Sequence, residues 1–100
     1  MKLVRAIVRT VCLDHVVKSL EEAGFKELTI SEVKGVGDEA RMNKPFTIHN
    51  KIEIILRDEE AEAAANINLE HTRTGLAGDG ILFVVPLDYA VKIRTKERLG

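Results

Sequence analysis

The sequence predicts an α+β fold in which two helices cover one face of a four-stranded antiparallel sheet. Segments of period two and segments of helical period alternate in the order strand, helix, strand, strand, helix, strand. The 100 residues suffice for one domain with a core of modest size. This order is that of a ferredoxin-like split βαβ sandwich, formed here by a single domain over residues 1–100.

The first half of the chain predicts a strand, a helix and a second strand. Residues Leu3–Arg9 show a period of two, with Val4, Ala6 and Val8 on one face and both arginines on the other, as in a half-buried strand. From Leu13 to Ala23 apolar residues recur at helical spacing, and Gly24 follows where a left-handed cap is wanted. Glu27–Val33 predicts the second strand, after which a mobile loop is expected at about residues 37–48.

The second half predicts a strand over Lys51–Leu56, a helix that Asp58 caps, and an apolar strand over Ile81–Pro86. A last extended piece, Ala90–Thr95, is expected to carry two basic residues on one face. Small residues allow the second helix to pack closely on the sheet, and its buried side is expected to consist of Ala61, Ala64, Ala65 and Leu69. The open face of the sheet is expected to carry mixed positions, among them Arg5, Ile7, Thr29, Glu53 and Ile55.

Charge and cysteine content narrow the functional classes. Fifteen basic and sixteen acidic residues leave a formal net charge of -1, so no whole-chain field attracts nucleic acid or an anionic membrane. The lone Cys12 fits a reducing compartment. Arg5 and Arg9 interrupt the first apolar run, which is unlike a signal peptide or a spanning helix. A cytoplasmic protein with no nucleic-acid partner and no membrane insertion is expected.

Two glycine-containing segments are candidates for ligand contact. Gly75, Gly78 and Gly80 permit positive φ and close approach of a ligand to the backbone, as in an anion-binding nest. The spacing alone favours a helix C-cap followed by a turn, and no Lys-Ser or Lys-Thr pair follows as in a P-loop. Gly35 and Gly37 indicate a strand exit or a bulge. Alternatively, the two loops converge across a subunit boundary.

Metal and catalytic sites have little support in the sequence. Cys12 and His15 have the spacing C-x2-H, but the other two histidines stand alone, so no ligand set and no metal site are predicted. Asp14 next to His15 and Glu53 among apolar neighbours are the candidate acid–base groups. No nucleophile motif accompanies them, so no catalytic residue is predicted and the chain is not expected to be an enzyme.

Six segments together resemble the PII signal-transduction family over nearly the whole chain: "MKLVRAIVR", "GFKELTISEVKGVG", "KIEIIL", "RTGLAGDG", "FVVP" and "KIRTKER". The resemblance implies a small cytoplasmic homotrimer that binds ATP or ADP, often with 2-oxoglutarate. It also implies regulation of a partner enzyme, transporter or regulator in nitrogen metabolism.

The resemblance further implies that the nucleotide lies in the cleft between adjacent subunits. The residues of one side would be Ile7, Gly35, Val36, Gly37, Glu53, Ile55, Gly78, Asp79 and Gly80. The neighbouring subunit would contribute Thr29, Lys92 and Arg94.

Several positions depart from the family pattern. Ile81 stands where the family usually has a phosphate-binding lysine, and Lys92 where it usually has arginine. Asp38 and Glu39 replace a basic residue and a glutamine that helps to hold magnesium and 2-oxoglutarate. Weaker phosphate contacts are therefore expected and 2-oxoglutarate is disfavoured, whereas the two carboxylates are compatible with Mg²⁺.

The partner-binding loop is shortened and lacks the tyrosine that bacterial members modify, since the only tyrosine is Tyr89. The loop residues expected to contact a partner are Arg41, Met42, Lys44 and Phe46, unless they form only an exposed loop. An alternative function is a divergent trimer of the CutA type that binds a metal or another small molecule and does not sense ATP.

Overall fold

The computed structural model describes residues 1–36 and 46–100. Most of the segment predicted as a mobile loop therefore lies outside the described residues. The elements are, in chain order, β1 (Lys2–Arg9), a 3-10 turn (Thr10–Cys12), α1 (Leu13–Glu22), β2 (Thr29–Gly35), β3 (Thr47–Leu56), α2 (Asp58–Thr72), β4 (Ile81–Pro86), β5 (Ala90–Lys92) and β6 (Glu97–Leu99).

The main sheet has the strand order β2-β3-β1-β4, and every neighbouring pair is antiparallel. β1 and β3 are the central neighbours, as the split βαβ order requires. Strands β5 and β6 form a separate hairpin. The predicted ferredoxin-like α+β fold is confirmed.

The core lies between the sheet and the two helices. Val4, Ala6 and Val8 of β1 are buried, which the alternating pattern predicts. They pack with Ile52, Ile54 and Leu56 of β3 and with Val16 and Leu20 of α1. Burying each large aliphatic side chain contributes about 1.5–3 kcal/mol. Alternation therefore fixes which side of the sheet the helices cover.

Helix α2 buries Ala61, Ala64 and Ala65 as predicted, but the prediction for Leu69 is wrong. Leu69 is 50% exposed, whereas Asn68 is 1% exposed. The buried stripe therefore continues at Asn68, seven residues after Ala61, because the helix turns the next position away from the sheet. The Asn68 amide donates to the Ala64 carbonyl at 2.9 Å.

Asp58 does not cap α2, contrary to the prediction. The N-cap is Arg57, and Asp58 is the first helical residue. Its carboxylate lies 2.9 Å from the amino group of Met1, and this hydrogen bond is the main cause that lowers its pKa below the ordinary value. The ion pair joins the start of β1 to the start of α2.

Strand boundaries differ from the sequence prediction at three places. β2 begins at Thr29, two residues later than predicted. β2 runs to Gly35, which pairs with Thr47, so β3 begins four residues earlier than predicted. The extended piece after β4 ends at Lys92, and the chain turns at residues 93–96. The returning strand β6 was not predicted, because its three residues are too few to show a period. Within residues 1–36 and 46–100, no helix has the length and hydropathy needed to cross a bilayer.

Candidate functional site

The face of the sheet opposite the helices carries the candidate site. The register pairs Arg5 with Glu53 and Glu53 with Thr29, so the residues predicted for the open face do share it. Apolar groups on this face remain accessible: Ile55 is 52% exposed and Ile81 is 61% exposed. The face is thus a mixture of ion-paired and uncovered apolar side chains.

The two glycine segments meet at one corner of the sheet, where β1 ends and β3 begins. The side chain of His49 joins them: its Nε2 lies 2.9 Å from the Gly78 carbonyl oxygen. A Cβ on Gly35 would lie 3.9 Å from its Nδ1. We call this region the glycine-loop corner and define it by Arg9, Gly35, His49, Gly78 and Asp79. Within one chain, Gly35 and Gly78 therefore both lie beside His49.

The carboxylate of Asp79 organises the loop from inside. It accepts hydrogen bonds from the Thr74 amide at 2.9 Å, the Thr74 hydroxyl at 2.6 Å and the Gly75 amide at 2.8 Å. Arg9 Nε donates to it at 3.0 Å. The Thr74 hydroxyl and the Arg9 guanidinium hold the pKa of Asp79 far below its usual range. Its hydrogen bonds are made to the loop and to β1, so this side chain shapes the loop.

The loop glycines have different roles. Gly75 and Gly78 have φ values of 83° and 99°, the left-handed region that the sequence analysis anticipated. Gly75 is not a helix cap, because α2 ends at Thr72 and the next residue is extended. Gly80 is required for space: a Cβ there would lie 1.5 Å from the carbonyl oxygen of Ile7. Close backbone contact between the loop and β1 depends on this glycine.

A second group of predicted residues lies at the opposite end of the sheet. Thr29 and Glu53 are cross-strand partners and line a groove of about 350 Å³ with Ile55. Lys92 Nζ lies 3.8 Å from a carboxylate oxygen of Glu27, which lines the same groove. We call this region the Thr29 corner and define it by Thr29, Glu53, Ile55 and Lys92.

Glu53 is ion-paired, contrary to the expectation of an apolar environment. Its Oε2 accepts hydrogen bonds from Arg5 Nε at 3.0 Å and from the Arg5 terminal nitrogen at 2.6 Å. The Lys51 ammonium lies 4.0 Å from its other oxygen. Arg5 and Glu53 are cross-strand partners, so the register of β1 and β3 explains their ion pair.

On one chain, the two corners group the predicted site residues differently from the grouping that the family resemblance implies. Ile7, Gly78, Asp79 and Gly80 lie towards the glycine-loop corner, but Glu53 and Ile55 lie at the Thr29 corner. Six residue steps along β3 separate Thr47, the partner of Gly35, from Glu53, which is about 20 Å of strand. One chain therefore does not bring the two groups together.

The remaining predicted residues flank these corners. Val36 is exposed directly after β2, and Arg94 is exposed in the turn after β5. The Lys34 ammonium lies 4.5 Å from the centroid of the Phe46 ring. Gly37, Asp38, Glu39, Arg41, Met42 and Lys44 lie outside the described residues.

Sequence reasoning missed Arg9, Thr74 and the role of His49. Arg9 and His49 are directly opposite each other at the ends of β1 and β3. The signal was present in the alternating patterns, since both positions fall on the open face. Finding it requires the strand register, which the patterns alone do not give.

Comparisons with known proteins establish the family of the chain. The family model described as "Nitrogen regulatory protein P-II" matches residues 1–97. A protein of that name from Cereibacter sphaeroides is 36% identical over 106 aligned positions, covering 97% of this chain and 95% of the relative. Those from Azospirillum brasilense and Rhizobium meliloti (strain 1021) are 35% and 34% identical, covering 97% and 95% of the relatives and 100% and 97% of this chain. The chain belongs to the nitrogen regulatory protein P-II family, whose members are regulatory signalling proteins and not enzymes.

Proposed function

We propose that this chain is a cytoplasmic, homotrimeric signalling protein that binds ATP or ADP between adjacent subunits and controls a partner protein of nitrogen metabolism. The observation that carries the proposal is the separation of the two corners on one chain. The glycine-loop corner offers a shaped backbone, and the Thr29 corner offers a cation, yet they lie at opposite ends of β3. A cleft between two copies unites them.

The glycine-loop corner is suited to the phosphate side of such a cleft. Asp79 already fixes the turn through Thr74, Gly75 and Arg9, so little conformational entropy is lost when an anion binds. The loop is exposed over residues 73–77 and at Gly80. Asp79 already accepts the amides of Thr74 and Gly75, so an anion would bind to other backbone amides of the turn. Ile81 adds no charge there, so phosphate binding depends on the backbone and on the neighbouring subunit.

The Thr29 corner is suited to the opposite wall. Lys92 is half exposed, and its ion pair within residues 1–36 and 46–100 is a long contact of 3.8 Å to Glu27. Such an exposed pair is worth about 0–1 kcal/mol, so a phosphate can replace the carboxylate at small cost. In this proposal Thr29, Glu53, Ile55, Lys92 and Arg94 come from one subunit and the glycine loop from the next.

The uncovered apolar groups of the open face support assembly. Ile55 is more than half exposed, and Leu3, Ile7 and Phe83 lie on the same face. Copies of the chain that pack their open faces together remove this surface from water, at about 25 cal/mol per Å². The trimer and the nucleotide cleft are thus two consequences of one contact.

In this proposal, the segment that follows β2 transmits the signal to the partner protein. Gly35 and Val36 belong to the proposed cleft and lead directly into residues 38–46. Nucleotide occupancy then sets the conformation of this segment, and Arg41, Met42, Lys44 and Phe46 contact the partner. Asp38 and Glu39 favour Mg²⁺ with the nucleotide and disfavour 2-oxoglutarate.

Calorimetric titration with ATP, ADP and AMP, with and without Mg²⁺, tests the nucleotide site, and light scattering tests the trimer. We expect binding of ATP or ADP at one site per chain. Lys92→Ala should weaken binding about tenfold, the loss expected when one charged phosphate contact is removed. Lys18→Ala, an exposed lysine on α1, is the matched control and should bind as the unchanged protein does. No heat with any of the three nucleotides would refute nucleotide sensing.

A further inference from the structure

Two histidines from different helices meet outside both corners. His15 lies in the first turn of α1, and His71 lies in the last turn of α2. His71 Nδ1 is 2.8 Å from His15 Nε2, and the ring centroids are 4.6 Å apart with an interplanar angle of 72°. The His15 side chain is exposed to solvent. Helix packing thus joins residues that are 56 positions apart.

The contact between the two rings limits the protonation states that they can have. A neutral imidazole has one N–H donor and one lone pair, so the pair shares a single proton between the two facing nitrogens. Two protonated rings could not form the contact, because both nitrogens would then be donors. A metal cation can instead accept the lone pairs of both facing nitrogens, once each ring carries its proton on its other nitrogen.

The spacing fits such a cation. Zinc–imidazole bonds are about 2.0–2.1 Å long, which sets the two nitrogens of one ion about 2.8–3.4 Å apart for angles between 90° and tetrahedral. The observed separation of 2.8 Å lies at the lower end of this range. Because His15 is exposed, its ring can rotate until both lone pairs converge on the ion.

We propose that His15 Nε2 and His71 Nδ1 form a binding site for a divalent transition-metal ion of the Ni²⁺, Cu²⁺ and Zn²⁺ class, which imidazole ligands suit. Each neutral ring then carries its proton on the nitrogen that faces away from the ion. Over residues 1–36 and 46–100, no group of three metal-binding side chains is present, so water completes the coordination. The sequence did not predict this site, because His71 has no ligand partner nearby along the chain.

The position of the site gives it a structural consequence. An ion held by both histidines links the start of α1 to the end of α2. Cys12 Sγ, 4.0 Å from the Thr72 carbonyl oxygen, marks the same contact between the two segments. α2 ends one residue after His71, and the glycine loop follows. The ion therefore fixes the point from which that loop departs, whether or not a nucleotide binds.

Calorimetric titration of NiCl₂ and ZnCl₂ into protein without an affinity tag, at about pH 7.5, where free imidazole is mostly neutral, tests this site. We expect one ion per chain. His15→Gln and His71→Gln should each weaken binding about tenfold or more, because each removes one of the two protein ligands. Lys18→Gln, on the same helix one turn after His15, is the control and should keep the affinity.

A thermal melt gives a second readout. The ion should raise Tm in the unchanged protein and in Lys18→Gln, and not in either histidine variant, since only the folded chain holds the two rings together. If one of the two histidine variants does not fold, the other one still tests whether the histidines bind the ion. Absence of binding, or equal affinity in the histidine variants and the unchanged protein, overturns the proposal. Nucleotide titrations of the same samples stay informative, because neither histidine belongs to the proposed cleft.

Discussion

The two corners of the sheet are stabilised in different ways. At the glycine-loop corner, Asp79 accepts hydrogen bonds from two backbone amides, a hydroxyl and a guanidinium, and His49 contacts the Gly78 carbonyl. At the Thr29 corner, the contacts are ion pairs between partly exposed side chains, such as Lys92 with Glu27. One corner has its shape before any ligand arrives, whereas the other has side chains that can change partners.

This difference suggests a division of labour within an intersubunit site. A prearranged turn reduces the entropy cost of binding, and exchangeable cations supply charge where the ligand needs it. Changes at the glycine-loop corner should therefore alter folding first. Changes at the Thr29 corner should alter ligand affinity and leave stability nearly unchanged.

The largest effect is expected for Gly80→Ala. The added Cβ would overlap the Ile7 carbonyl oxygen, since an ideal Cβ lies 1.5 Å from it, so the start of the β1–β4 pairing has to shift. We expect the free energy of unfolding to fall by about 2–4 kcal/mol. Urea denaturation at a fixed protein concentration measures this loss.

Gly35→Ala is the matched control for that experiment. Its added Cβ would meet only His49 and Thr47 at 3.9 Å, an ordinary van der Waals contact. We expect a loss below about 1 kcal/mol. Equal losses in the two alanine variants would show that close approach to β1 is not what Gly80 provides.

The next effect concerns the charge of Asp79. Its pKa is lowered on folding, so its stabilising contribution is complete above the ordinary value of about 3.9 and is lost as the pH falls towards the folded-state pKa. Asp79→Asn should lower Tm near neutral pH, and the difference from the unchanged protein should shrink below about pH 4.

Thermal melts across the acid range measure this difference. Asp88→Asn, at an exposed aspartate between β4 and β5, provides the comparison and should change Tm much less at neutral pH. Asp58 also has a lowered pKa, but it is present in every variant and its effect cancels in the comparison. A difference that does not vary with pH would mean that Asp79 acts through its shape and not its charge.

The fold was predictable because burial leaves a periodic signal. Val4, Ala6 and Val8 occupy every second position, with Arg5 and Arg9 on the other face, and this period of two correctly assigns the buried face of β1. The same reasoning failed at Leu69, where residue type suggested burial and the helix phase selected Asn68. Patterns of polarity thus locate elements better than they assign individual contacts.

The candidate site was predictable only in its parts. The glycine segments and Asp79 were recognised from the sequence, but the hydrogen bonds from Arg9 to Asp79 and from His49 to Gly78 depend on the register of β1 and β3. Register is set by pairing across the whole sheet, so it has no local sequence signal. For the same reason the sequence did not separate Glu53 from the glycine loop.

A smaller effect, on the proposed nucleotide site, is expected for Ile81→Lys. Ile81 is 61% exposed at the start of β4, next to the glycine loop, so a lysine there can reach an anion bound by the loop. We expect ATP to bind about tenfold more tightly, a gain of about 1.4 kcal/mol, and AMP to gain less because it has one phosphate. Calorimetric titration compares the two nucleotides. Val84→Lys adds the same charge on the other face of β4 and should leave both affinities unchanged, so equal gains in the two variants would point to a general effect of net charge.

The smallest effect is expected for Lys92→Arg at the Thr29 corner. An arginine can bind a phosphate through two parallel hydrogen bonds, whereas the lysine ammonium acts as a point charge. Because Lys92 already supplies the charge, we expect only about a threefold gain in ADP affinity, equal to about 0.6 kcal/mol, with Tm unchanged. Lys18→Arg makes the same substitution on α1, away from both corners, and should leave ADP affinity as it is. If Lys92→Arg and Lys92→Ala both bind ADP like the unchanged protein while Ile81→Lys still gains affinity, the phosphates contact the glycine loop without the cation at residue 92. The prearranged corner would then be the principal anion site, and the exchangeable corner would serve the adenine or the subunit contact alone.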